Sequence, residues 1–174
     1  MDDLFLPGNF LALPPEQSDR ANARFIVLPI PYDGTTSYKS GARDGPHAII
    51  EASRQMEDFD QQLSVEPSRL GIHTMSELAP HVGDPGAMVQ RVAGVVREVA
   101  ASGQIVVTLG GEHSVTVGAV RGLLGIYPDL SVLVLDAHGD MRAQYMGSRY
   151  SHACTARRVH EMCPMTLAGT RSLS

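Results

Sequence analysis

Three aliphatic runs constrain this chain more than any other feature: FIVLPIPY at 25–32, QIVVTLGG at 104–111 and SVLVLDAH at 131–138. Each reads as a strand with no polar face, and each runs out into glycine, proline or polar residues. A strand apolar on both sides must be buried on both sides, which argues for a parallel sheet covered by helices. The intervening segments supply those helices. Pro46 suits the first turn of a helix running to about Phe59, with Ile49, Ala52, Ser53 and Met56 on one face. Asp84 caps and Pro85 starts a second helix, whose Met88, Val89, Val92, Val95, Val96 and Val99 line one side until Gly103 ends it. Residues 113–127 form a third, with Val117, Val120 and Leu124 inward, and TARRVHEM a short fourth. A short strand is expected near RLGIHT and another begins in PMTLAGTRS. The expected fold class is α/β, a three-layer α/β/α arrangement around a mainly parallel sheet.

Composition narrows the function classes. In 174 residues, 43% are hydrophobic and 19% charged, values of an ordinary globular domain. A net charge of -5 offers no basic stripe for nucleic acid, and no apolar run is long enough for a membrane span. The first 15 residues carry two acids and no base, unlike a secretory leader. The two cysteines, Cys154 and Cys163, have no zinc-type spacing, so free thiols in a cytoplasmic setting are expected.

In a parallel α/β sheet, ligands bind where the strands end. Two of the apolar runs end in metal-loving side chains. VLVLDAHGDMR places Asp136, His138 and Asp140 at alternate positions, which in extended chain project to one side. One imidazole and two carboxylates suit manganese better than zinc, whose structural sites favour sulfur and imidazole. LGGEHS places His113 at a second strand-to-helix junction, after two glycines. Two such clusters at the same end of parallel strands point to one site rather than two polar turns.

These stretches carry a resemblance. LGGEHSVTVG, VLVLDAHGDMR and SRYSHACTARRV, in this order, with PIPYDGTTSYKSGARDGPHAI before them, resemble the manganese ureohydrolase family of arginases and agmatinases. The Tyr-Asp-Gly-Thr-Thr-Ser loop, the Glu of GGEH and the SHAC run most resemble the agmatinase branch. The resemblance implies two manganese ions, with His113, Asp136, His138 and Asp140 as ligands and Asp136 bridging. It implies attack of a metal-activated water on the guanidinium carbon of a small guanidino substrate, giving urea and an amine, with His152 shuttling protons. Agmatine is the expected substrate and putrescine the amine; arginine or guanidinobutyrate is the alternative. Homo-oligomers are implied for the full-length enzyme. Residues 142–151 would form the substrate rim.

One departure stands beside the matches. The family carries a later Ser-x-Asp-x-Asp strand that supplies a second bridging carboxylate and a further ligand, and residues 1–174 contain no such motif. The run-in after Met1 reads as a natural start, so residues 1–174 are expected to form a single domain truncated at its carboxyl end. A chain so truncated is expected to be inactive alone, and a non-catalytic metal-binding role is a further alternative. The remaining histidines, His47, His73, His81 and His160, are expected to be solvated or packed, and the Asp58–Asp60 pair solvated.

Overall fold

The computed structural model describes residues 7–173. In chain order they form helix α1 (Pro15–Ser18), strand β1 (Phe25–Ile30), helix α2 (Gly45–Ser53), strand β2 (Ile72–Thr74), helix α3 (Pro85–Ala101), strand β3 (Ile105–Gly110), helix α4 (Val115–Leu124), strand β4 (Val132–Leu135), helix α5 (Thr155–His160) and strand β5 (Met165–Ala168). Every pairing between these strands is parallel. β1 is central in the order β2–β1–β3, with Phe25 opposite both Ile72 and Ile105. β4 pairs with β5.

The apolar run of β1 is spent as a two-faced buried strand: Ile26, Val27, Leu28 and Ile30 are all buried. Leu28 and Ile30 pack with Met88, Val92 and Val96 of α3, whereas Val27 faces Leu13 and Ile72 on the other side. The expected start of α3 is borne out, with the Asp84 carboxylate accepting the Gly86 N–H at 2.8 Å. α4 lies against α3 through its glycines; a β-carbon at Gly118 would stand 2.6 Å from the Val92 Cβ. Val120 of α4 meets Val159 of α5, with Val132 and Met165 packed against them.

Two expectations need correcting. α2 stops at Ser53, short of Phe59, and its covered side is Pro46, Ile50 and Ser53, while Ile49 and Met56 are exposed. The Ser53 hydroxyl donates to the Ile50 carbonyl at 2.6 Å and accepts the Leu11 N–H at 2.9 Å. Of the expected stripe Ser53 is buried, held by these two bonds, whereas Ile49, Ala52 and Met56 are exposed, because the helix ends at that polar anchor before Met56. The sheet is also less closed than three wholly apolar strands suggest. β3 and β4 do not pair with each other, and Ile105, Val107, Leu133 and Leu135 are exposed. No helix among the described residues is long and apolar enough to cross a membrane.

Candidate metal centre

The strand exits of β1 and β3 are locked together before the site begins. The Glu112 N–H donates to the Tyr32 carbonyl at 2.7 Å, and the backbones come so close that a β-carbon on Gly111 would lie 2.1 Å from that oxygen. Only glycine fits there. The crossing sets His113 at the turn into α4.

The opposing residues come from the loop after β4. Asp140 has φ of +41°, in the left-handed region that aspartate tolerates better than most residues. Its carboxylate meets His113, with Oδ2 2.8 Å from Nδ1, and the Asp136 Oδ2 lies 3.7 Å from the same nitrogen. Donor atoms of His113, Asp136 and Asp140 all fall within 4.8 Å of one another. His138 stands outside that trio, with a largely exposed ring. Its Nδ1 is 3.1 Å from Asp136 Oδ1, and its backbone N–H donates to the same oxygen at 2.8 Å. Asp136 thus turns one oxygen to the trio and the other to His138. The His138 N–H holds the Asp136 carboxyl below its usual range; burial opposes this and His113 adds to it.

His152 begins the turn that leads into α5 and lines the same cavity of about 480 Å³ as these four residues. Its ring meets Tyr145 edge to face at 5.9 Å, and the Arg142 guanidinium lies 4.9 Å from the Tyr145 ring centre. Sequence reasoning placed the 142–151 segment at a rim without naming contacts; the structure gives the cavity Arg142 and Tyr145. It missed Thr36, Ala42 and Glu112, which also line it. Glu112 carried a signal, being joined to His113 in GGEH.

The residues set aside stay outside the site. Asp58 accepts from Ser68, and Asp60 from the Gln62 and Leu63 N–H groups, so both close turns. His73 Nδ1 lies 2.9 Å from the Ser18 carbonyl, and His47 is exposed beside Glu51. Both cysteines are free and buried, and burial pushes both thiols up.

The donors of the trio are one imidazole nitrogen and carboxylate oxygens, with no thiolate, a set that fits a manganese-like divalent ion. The arginase family model matches residues 23–174. The chain belongs to the arginase family. Its curated relatives include an N(1)-aminopropylagmatine ureohydrolase of Synechocystis, 42% identical over 84% of this chain and 50% of that protein. An agmatinase of Pyrococcus horikoshii is 38% identical over 88% of this chain and 54% of its own length. The agmatine ureohydrolase structure of Thermoplasma volcanium superposes with a TM-score of 0.87 at 31% identity, covering 99% of this chain and 58% of the other. This arginase-family chain therefore spans about half the length of the curated relatives it matches.

Proposed function

We propose that the chain carries the metal-binding half of a ureohydrolase that cleaves agmatine to urea and putrescine. The observation that carries this is the convergence of His113, Asp136 and Asp140, with His152 on the wall of the same cavity. His113, Asp136, His138 and Asp140 would hold the manganese, two ions in the family pattern that the sequence resembles. Bound manganese lowers the pKa of water toward neutrality, so that hydroxide is available at physiological pH. The chain's own task is to place that water against the guanidinium carbon and to handle its proton. Water adds to the carbon, the C–N bond to the alkyl amine breaks, and His152 passes a proton to the leaving nitrogen. The remaining carboxylates would come from a later segment of a longer protein, and the 174-residue chain alone is expected to release no urea.

A second reading concerns the substrate. A cavity of about 380 Å³ adjoins the metal cavity, sharing Thr36 and Tyr145 with it. That space, with the name of the Synechocystis relative, favours N(1)-aminopropylagmatine as a longer substrate of the same chemistry.

The test is to read the transcript past the codon for Ser174 and to assay the encoded protein with manganese. Urea release from agmatine or its aminopropyl derivative, in preference to arginine and guanidinobutyrate, is expected. Equal or greater turnover of arginine overturns the agmatinase assignment. A stop codon at that point, with no urea released, leaves a non-catalytic metal-binding chain.

A further inference from the structure

The wall of the metal cavity contains a buried carboxylate that the reaction above does not use. Glu112 is 5% exposed, and both of its oxygens are engaged. Oε2 accepts the Thr35 N–H at 2.6 Å; Oε1 accepts the Thr35 hydroxyl and the Ser114 hydroxyl, each at 2.5 Å. Thr35 lies in the loop after β1, 77 residues from Glu112 along the chain. It meets His152 twice. Its hydroxyl oxygen accepts the His152 backbone N–H at 3.0 Å, and its carbonyl lies 2.8 Å from His152 Nδ1.

The direction of these bonds follows from the groups. A carbonyl oxygen only accepts, so Nδ1 must carry the hydrogen. A carboxylate only accepts, so the Thr35 hydroxyl donates to Glu112 and keeps its lone pairs for the His152 N–H. The other contacts of Nδ1, to the Thr35 and Ser151 hydroxyls, are both 3.4 Å and weaker. In neutral His152 the unprotonated nitrogen is then Nε2. Which ring nitrogen is free is set by the bond the other one makes.

We propose that Glu112 and Thr35 are positioning residues that fix His152 as the Nδ1–H tautomer, leaving Nε2 as its proton-accepting atom. Glu112 acts through Thr35 and touches neither the reacting atoms nor the imidazole. The GGEH glutamate thereby has a task separate from that of the histidine beside it: it ties the exit of β3 to the loop after β1, and that loop to the turn before α5. The functional consequence rests on the proton-carrying role given to His152. The tautomer itself does not.

The test is magic-angle-spinning NMR on the chain with ¹⁵N-labelled histidine, above the ordinary histidine titration range. This method tolerates self-association and needs no turnover. His152 is expected to show the Nδ1–H tautomer in the unsubstituted chain. Thr35→Val removes the hydroxyl that anchors the loop to Glu112 and to the His152 backbone N–H while keeping the carbonyl; loosening that carbonyl's hold on Nδ1 should lower the Nδ1–H to Nε2–H ratio, by at most about the tenfold that a whole hydrogen bond is worth. Glu112→Ala should do the same, and Thr35→Ser should restore the original ratio. An Nε2–H tautomer or a mixture in the unsubstituted chain overturns the proposal without any variant having to fold. So does a Thr35→Val chain that keeps the original ratio. Failure of urea release in the longer protein would count against the hydrolase reading and leave this result standing.

Discussion

Helix α4 holds the turn with His113 and Glu112 at its start, and its seat on α3 depends on two glycines. A β-carbon at Gly118 would lie 2.6 Å from Val92 Cβ and 2.7 Å from the Val89 carbonyl; at Gly122 it would lie 2.6 Å from the Ala93 carbonyl. Gly94, inside α3, has nothing within 4 Å of the same position. Replacing glycine by alanine inside a helix gains up to about 1 kcal/mol from backbone propensity. Overpacking a tight contact costs about 1–3 kcal/mol, and the upper end applies at Gly118, where the obstacle includes backbone and a branched carbon. Gly118→Ala should therefore destabilise by about 1–2 kcal/mol net, while Gly94→Ala stabilises by about 0.5–1 kcal/mol. Urea unfolding reads both: the midpoint should fall for Gly118→Ala and rise for Gly94→Ala, with unchanged slope. Because α4 positions His113, manganese affinity should fall in the first variant and hold in the second. A raised midpoint for Gly118→Ala would mean that propensity outweighs contact, and the close seating of α4 on α3 would be refuted.

Asp33, whose side chain is fully covered, accepts from Arg43 Nε at 2.6 Å and from the Gly41 N–H at 2.8 Å; Asp33→Asn should cost about 1.5–3 kcal/mol. The Arg43 guanidinium holds the Asp33 carboxyl below its usual range, so its contribution is complete above about pH 4 and is lost as pH falls through the lowered value. Acid unfolding curves should show that the variant lacks this loss; an unchanged acid limb argues against the clamp. In calorimetric titration with manganese, His113→Ala should weaken binding more than His138→Ala, since His113 belongs to the three-donor group, whereas the His138 ring, outside it, pairs with Asp136. Equal losses would remove the distinction. Leu133→Lys with Leu135→Lys should reduce concentration-dependent association in sedimentation without changing the helix content, and no change would show that the exposed β4 residues do not drive it.

The fold was legible wherever a whole face of an element is apolar. The strands β1, β3 and β4 and the long helix α3 follow from aliphatic runs and from the Asp84-Pro85 start. It was less legible where one polar atom decides the outcome. Nothing in GPHAIIEASRQM says that Ser53 will be taken by Leu11, yet that bond goes with the buried side of α2 and its end. The site was legible in its residue types and less so in its geometry. The alternation argument puts Asp136, His138 and Asp140 on one side of a strand. In fact β4 ends at Leu135, and the three residues lie in the loop beyond it. Asp140 reaches His113 through a left-handed turn, and His138 stands outside the trio, lining the same cavity and keeping its contact with Asp136.

That geometry makes Asp136 the hinge of the site. Its Oδ2 faces His113 and its Oδ1 faces His138, so one carboxylate belongs to two donor groups of unequal completeness. The three-donor side is assembled from both strand exits within residues 7–173, and the His138 side has only Asp136 and His138. A first ion should therefore bind at His113, Asp136 and Asp140. A second, at His138, would add positive charge while drawing on a carboxylate already shared, and would need further anionic ligands to be stable. The exposed apolar faces of β3 and β4 lie on the strands whose exits carry these groups. Leu133 and Leu135 run directly up to Asp136, so on β4 the exposed apolar face adjoins the less complete donor group.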